Sequence, residues 1–266
     1  MKKFSVGTPS WKKALILCAI FVFMSIVSVF VVAVLMLLGV SALIGAAFGT
    51  IVMFGVTAWL YALWFEEKNF LKNVLVSKFS FKWLLFAILV LLFSLPIIST
   101  ISVETQDEEM KLMVTDLTGW GLTKLIFVIA LLPAVCEELF FRGLLQNLFI
   151  RKTKSVLASL IIVSAIFSAV HADLPNFMAR FVMGLLLGML YQYSGKLWTS
   201  MAFHFLNNAI AATLLWCEVK GVVLGDIEDF PLYIIIISVL FIVGFVVLNE
   251  AKNKRSIRNN FKELEN

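Results

Sequence analysis

Apolar runs long enough to cross a bilayer recur along the whole chain, and they leave little choice of fold. Several extend for 18 or more residues with few charges, a length that is rare in soluble domains. Hydrophobic residues make up 61% of the 266 residues and charged residues only 15%. We therefore predict an all-α fold, a polytopic integral membrane protein with about eight transmembrane helices.

Short stretches of small, polar or charged residues divide the apolar sequence into eight predicted spans. Their approximate bounds are 14–38, 42–65, 81–100, 122–150, 155–171, 177–193, 197–217 and 231–248. The first run is longer than a signal-peptide core and lacks a small-residue cleavage site, so we expect it to be retained. No repeat, low-complexity stretch or linker marks a second domain. Residues 1–266 are therefore expected to form a single membrane-embedded domain.

The lysines and arginines are distributed unevenly between the two sides of this arrangement. With the N-terminus cytoplasmic, the alternation of eight spans places 17 of the 22 lysines and arginines in cytoplasmic segments. Cytoplasmic segments of membrane proteins are enriched in these residues, so both termini are predicted to be cytoplasmic. The net charge of +5 is then a signal of membrane topology. We expect the lipid bilayer as a partner, and no nucleic acid.

Three charges interrupt the fourth apolar run, at Glu137, Glu138 and Arg142. Charged groups within hydrocarbon are rare, costly and usually functional. On a helix, Glu138 and Arg142 lie four residues apart on one face and can pair. Glu137 points about 100° away from them. We therefore expect Glu138 to be held by its partner and Glu137 to be free for chemistry.

The chain contains two histidines, and both lie in or at the ends of apolar spans. His204 shares a helix face with Asn208, four residues later, and Phe167 lies one turn before His171. A carboxylate beside imidazoles can hold and deprotonate a water, while His and Asn donors can stabilise an oxyanion. These groups are suited to the hydrolysis of an amide. Transporters also place Glu, His and Asn at mid-membrane, so an ion relay stays open on the residues alone.

Three motifs resemble those of the CPBP family, in the same order. They are Glu-Glu-x-x-x-Arg at 137–142, Phe-x-x-x-His at 167–171 and His-x-x-x-Asn at 204–208. This family contains type II CAAX prenyl endopeptidases and bacteriocin-processing or bacteriocin-immunity membrane proteins, and is also called Abi. The resemblance covers roughly residues 120–215, and it implies a catalytic core there.

What the resemblance implies is an intramembrane endopeptidase, a CAAX-protease-like hydrolase whose substrate is a peptide or a membrane-anchored protein. The first alternative is a non-catalytic bacteriocin-immunity or partner-binding membrane protein of the same family. The second alternative is a transporter with a buried ion relay.

Carried over to this chain, the resemblance implies that Glu137 and His171 activate the water, and that His204 and Asn208 line the oxyanion site. Counting at about 1.5 Å per residue places Glu137 near mid-membrane and His171 near the outer end of its span. The same counting places His204 nearer the inner end of its own span. We nonetheless expect these side chains to converge on one cavity.

By the same resemblance, Glu138 and Arg142 brace the helix and help to hold the substrate. The family has been described both as metalloproteases and as metal-independent glutamic proteases. We expect no metal and no other cofactor, because Arg142 disfavours a dication and no carboxylate is evident to support the histidines. A zinc-dependent enzyme would instead use Glu137, His171 and His204 with a water.

Overall fold

A computed structural model of the protein describes residues 11–65, 75, 77–103, 108–222 and 230–265. Every regular element in these residues is a helix and none is a strand, so the predicted all-α fold is confirmed. Residues 1–10, 66–74, 104–107 and 223–229 carry part of the charge pattern behind the predicted topology. They lie outside the described residues.

Within the described residues, eight long helices follow one another at the positions of the eight predicted spans. A ninth, short helix precedes the fourth of them. The continuous helices are α1 (Trp11–Leu37), α3 (Phe81–Ile101), the short α4 (Glu108–Thr115), α6 (Val156–Ala169), α7 (Phe177–Ser194), α8 (Leu197–Val219) and α9 (Leu232–Glu265). Two others contain π-helical segments. In α2 the α-helical parts Ala42–Thr50 and Thr57–Phe65 flank the π segment Ile51–Val56.

The longest composite helix is α5, which carries the glutamates. It is built from Gly121–Ile126, the π segment Phe127–Leu131, Leu132–Glu138, the π segment Leu139–Gln146 and Asn147–Thr153. Pro133 explains why the first π segment lies where it does. Proline has no N–H to donate to the carbonyl four residues earlier, that of Ile129, and its ring crowds the preceding turn. A widened turn beside a proline is one of the usual ways in which a long helix accommodates it.

Four of the described helices are long and apolar enough to cross a membrane by themselves. They are Lys12–Leu37, Ala42–Phe65, Phe81–Ile101 and Leu232–Glu250. Val156–Ala169 is a shorter apolar helix. Large apolar side chains stay exposed on these helices, for example Phe23, Phe30 and Leu240, as a surface that faces lipid requires. The chain is an integral membrane protein, and the sidedness of its termini stays a prediction.

Helices α5 and α7 run parallel to each other, with α6 as the connection between them. Arg142 donates to the carbonyl of Gly184 at 3.0 Å, and Gln146 donates to the carbonyl of Gly188 at 3.1 Å. Both contacts join residues 42 positions apart, and a constant offset along two helices means that they run in the same direction. The glycines on α7 have no side chain to cover these carbonyls. Polar groups of α5 therefore lie deep in the bundle.

Candidate active site

The ion pair between Glu138 and Arg142 forms within one turn of α5 and is fully buried. Both side chains are 0% exposed, and Arg142 Nη1 donates to Glu138 Oε1 at 2.8 Å. Arg142 Nη2 donates to the Gly184 carbonyl, and the guanidinium lies 4.8 Å from the ring centre of Phe167. Burying two charges costs several kcal/mol per ion unless such additional contacts accompany the pair. The arginine thus joins α5 to α6 and α7 next to the glutamates.

Glu137 and His171 approach each other from α5 and from the turn that follows α6. The Glu137 side chain is 9% exposed, and its Oε2 lies 4.0 Å from His171 Nε2. This carboxylate oxygen receives no hydrogen bond from the described residues. His171 Nδ1 lies 2.7 Å from the carbonyl oxygen of Phe167. Since a carbonyl can only accept, Nδ1 carries a hydrogen and Nε2 is the atom presented to Glu137.

A carboxylate holds His204, and the expectation that none supports the histidines was wrong. His204 Nδ1 lies 3.0 Å from Glu138 Oε1, the same oxygen that accepts from Arg142, and both side chains are buried. A carboxylate at Nδ1 fixes the orientation and tautomer of the ring and leaves Nε2 as its second functional atom. His204 and Glu138 are 66 positions apart, so only the packing of α8 against α5 brings them together.

Asn208 lies one turn after His204 on α8, and its carboxamide reaches α5. Its Nδ2 donates to the Ile129 carbonyl at 3.3 Å, and its Oδ1 accepts a hydrogen bond from Asn207 Nδ2 at 3.2 Å. The Ile129 carbonyl is the one that Pro133 leaves without its α-helical donor. Neither Asn207 nor Pro133 was predicted from the sequence to be a functional residue. The proline could have been found as a helix breaker in an apolar run, but its partner on α8 has no local signal.

A cavity of about 410 Å³ lies beside these groups. Its volume is in the range of pockets that bind small ligands, about 300–1,000 Å³. The polar part of its wall is formed by Ser102, His171, Asn176, Arg180, His204, Asn207 and Asn208, and the apolar part includes Ile98, Met110, Ile129 and Met183. Both histidines and Asn208 therefore face one cavity, although helix counting placed the histidines near opposite ends of their spans. Glu137 is not part of the cavity wall, but its carboxylate lies 4.0 Å from His171, which is.

Arg180 lines the same cavity and is paired with a carboxylate. Its Nη1 contacts Asp173 Oδ2, and Asn176 Nδ2 donates to the same oxygen at 3.1 Å. Desolvation raises the pKa of Asp173, but the hydrogen bonds from Arg180 and Asn176 outweigh it and hold this pKa below its ordinary value. Asn176 also contacts both the N–H and the carbonyl of Val103, at 2.8 and 3.1 Å. These contacts tie the end of α3 to the turn before α7.

The donor groups of the described residues do not fit a metal site of three protein ligands. No group of three or more His, Cys, Asp or Glu side chains in this part of the chain is placed to hold an ion. The 4.0 Å between Glu137 Oε2 and His171 Nε2 exceeds the roughly 3.3 Å that separates two ligands of one tetrahedral zinc ion. Glu138 already accepts from Arg142 and contacts His204. The expectation of a metal-free site stays a prediction.

Comparison with known families supports the resemblance seen in the motifs. Residues 119–210 match the family model described as "Type II CAAX prenyl endopeptidase Rce1-like". The matched segment contains all three motifs and corresponds to about a third of the chain. The resemblance to the CPBP family is therefore confirmed for this segment.

One similar curated protein is named "Putative membrane peptidase YdiL" and comes from Bacillus subtilis (strain 168). The two sequences are 29% identical over 90 residues, which are 34% of this chain and 36% of the relative. The chain thus matches about a third of the length of this relative. No solved structure matches the chain. The matched segment is therefore similar to segments of membrane peptidases.

Proposed function

We propose that this protein is an intramembrane endopeptidase that hydrolyses a peptide bond of a peptide or a membrane-anchored protein, in the manner of CAAX proteases. The observation that carries the proposal is the buried approach of Glu137 Oε2 to His171 Nε2 at 4.0 Å, beside a cavity. The family match over residues 119–210 supports a peptidase. We assign the chemistry to the core formed by residues 120–215, and the reaction to a metal-free, glutamate-based mechanism.

The separation of Glu137 from His171 suits one shared water. It is too long for a direct hydrogen bond, but a water oxygen about 2.8 Å from each atom bonds to both. The His171 Nδ1 hydrogen is directed at Phe167, so Nε2 has a free lone pair. The carboxylate and Nε2 then each accept one hydrogen of the water. The lone pairs of the water oxygen are left to attack a carbonyl carbon in the cavity.

In the proposed reaction, one water is added across the scissile bond. The water oxygen bonds to the carbonyl carbon while one of its protons passes to Glu137, and the carbonyl oxygen becomes an oxyanion. His204 and Asn208 donate hydrogen bonds to this oxygen, where preorganised donors are most effective. When the intermediate collapses, the carbon–nitrogen bond breaks and Glu137 returns the proton to the leaving amine. The other product is a carboxylic acid.

The proposed roles of Glu137 and His204 each require a particular protonation state. His204 directs Nδ1 at Glu138, so it needs a second proton on Nε2 to donate to an oxyanion. The proposed mechanism requires this proton on His204 and an ionised Glu137, and the charges of Glu137, Glu138, Arg142 and His204 then add to zero. Glu138 acts in it as a positioning residue.

Cleavage of a fluorescence-quenched peptide library by the purified protein in detergent tests the proposal. Glu137→Gln and His171→Ala are each expected to lower kcat by about 10²- to 10⁴-fold, the usual contribution of general acid–base catalysis. Glu218→Gln is the matched control, because Glu218 is a carboxylate with a 58% exposed side chain outside the cavity lining. It is expected to keep wild-type activity. Cleavage that survives Glu137→Gln would refute the assigned base.

The same assay with a strong zinc chelator tests the metal-free mechanism. We expect kcat to be unchanged, because no proposed step uses a metal. Loss of activity on chelation, restored by zinc, would replace this mechanism with a metal-dependent one. The alternatives differ from the proposal in the same set of variants. An immunity scaffold cleaves nothing and tolerates Glu137→Gln, whereas an ion relay gives proton- or ion-dependent flux in vesicles.

A further inference from the structure

Asn207 occupies a variable position within the third motif, and its side chain contacts Asn208 in the cavity wall. We propose that Asn207 and the Ile129 carbonyl together set the orientation of the Asn208 carboxamide, so that Asn207 is a positioning residue for the oxyanion site. The proposal rests on the proposed function, because it concerns how that site holds its donor. It assigns a role to Pro133 as well, since this proline leaves the Ile129 carbonyl without its α-helical donor.

The orientation of an asparagine side chain decides what it can do at an oxyanion. The carboxamide has an accepting oxygen on one side and two N–H donors on the other, and the two sides have nearly the same shape. Only the nitrogen side stabilises a developing negative charge, whereas the oxygen side repels it. Asn208 Nδ2 uses one hydrogen for the Ile129 carbonyl. Its second hydrogen is then available to the cavity that the residue lines.

Two contacts select this orientation over the flipped one. Asn207 Nδ2 donates to Asn208 Oδ1 at 3.2 Å, and the Ile129 carbonyl accepts from Asn208 Nδ2 at 3.3 Å. In a flipped Asn208, the oxygen would face the Ile129 carbonyl, an acceptor against an acceptor. The nitrogen would face the amide nitrogen of Asn207, which would have to turn its own carboxamide to offer an acceptor. A polar group that loses its partners is left with the cost of its desolvation, and this favours the observed orientation.

Pro133 makes the Ile129 carbonyl available to Asn208. In a regular α-helix the N–H of residue 133 would donate to the carbonyl of Ile129. Proline cannot, and the π segment Phe127–Leu131 lies at the same point. The carbonyl of Ile129 is then bound by a side chain of α8, 79 positions away along the chain. A residue with an N–H at position 133 would take one of the two lone pairs of this carbonyl and weaken the contact that Asn208 makes with it.

A double-mutant cycle in the peptide-cleavage assay tests the positioning role. Asn207→Leu keeps the approximate shape and removes the donor, and we expect kcat to fall about tenfold with KM nearly unchanged. This is part of the loss of about 10²- to 10³-fold that follows removal of an oxyanion donor. Asn207→Gln keeps a donor and is expected to retain more activity than Asn207→Leu. In an Asn208→Ala background, Asn207→Leu should have no further effect, because its action runs through Asn208.

Pro133→Ala provides a second, independent variant. It restores an N–H in α5 and is expected to lower kcat in the wild type, and again to have no effect when Asn208 is alanine. If Asn207 or Pro133 had a purely structural role, its substitution would lower kcat by the same factor in the Asn208→Ala background as in the wild type. The proposal would be overturned if the factors by which kcat falls in the single variants multiplied in the double variant. It would also be overturned if Asn207→Leu had the kcat of the wild type.

A measurement that needs no enzymatic activity separates failure of the proposed function from failure of the positioning role of Asn207. In the protein labelled with ¹⁵N-asparagine, the side-chain amide signal of Asn208 is assigned by its loss in Asn208→Ala. We expect Asn207→Leu to shift this signal and Asn249, far along the chain on α9, to keep its own. An unshifted Asn208 signal would overturn the positioning role whatever the enzyme cleaves. A shifted signal in a protein that cleaves no peptide would retain the contact and reject the peptidase.

Discussion

Replacing Arg142 by methionine tests how the buried charges of this site are held. Methionine keeps much of the side-chain length and removes the charge. The change deletes the 2.8 Å contact with Glu138, the 3.0 Å contact with the Gly184 carbonyl and the approach to the Phe167 ring. Removing one partner of a buried ion pair costs about 3–5 kcal/mol, because the other charge stays buried. The hydrogen bond lost to the Gly184 carbonyl moves the expected loss toward the upper end of this range.

The free energy of unfolding can be measured by titrating the protein with dodecyl sulfate in mixed micelles and following the fluorescence of its seven tryptophans. Lys111→Met is the control, because Lys111 and Glu218 form a pair of nearly the same length, 2.7 Å, with 27% and 58% exposed side chains. An exposed pair contributes at most about 1 kcal/mol. The double variant Glu138→Gln/Arg142→Met should be more stable than Arg142→Met, since it leaves no unpaired buried charge. A double variant less stable than Arg142→Met, or equal losses for Arg142→Met and Lys111→Met, would refute this reasoning.

Two further predictions concern packing and pH. Gly184→Ala places a Cβ 3.1 Å from the Ser164 Cα, a backbone atom, so α6 and α7 must separate and we expect a loss of about 1–3 kcal/mol in the same titration. Gly244→Ala meets nothing within 4 Å and should be neutral or slightly stabilising; equal losses for both would contradict the packing. The pKa of Asp173 is lowered by its partners, so its contribution to stability is complete above its ordinary pKa of about 3.9 and is lost as the pH falls through the folded-state value. Asp173→Asn should therefore have a lower melting temperature than the wild type at pH 7, and this difference should shrink below about pH 4. A difference in melting temperature that is independent of pH would show that the pairing with Arg180 does not stabilise the fold.

Local patterns in the sequence determined the helices and one contact of the site. The apolar runs predicted a span at 81–100 and another at 197–217, and the helices found there are Phe81–Ile101 and Leu197–Val219. The pairing of Glu138 with Arg142 followed from their spacing, because both residues lie on one helix and its backbone geometry brings them together. Which residue types could do chemistry was also readable, since charges and histidines are conspicuous in apolar sequence.

Only the tertiary structure decided which of these groups meet. The contact of His204 with Glu138 joins residues 66 positions apart, and that of Asn208 with Ile129 joins residues 79 positions apart. Distances between helices depend on their tilt, their axial offset and their connecting turns, and no periodicity within one helix encodes these. A count from the helix ends therefore does not show which side chains meet. His204 is the eighth residue of α8, yet it lies level with the middle of α5. The reason is that α5 is longer than its neighbours and contains two π segments, whose turns hold more residues than those of an α-helix.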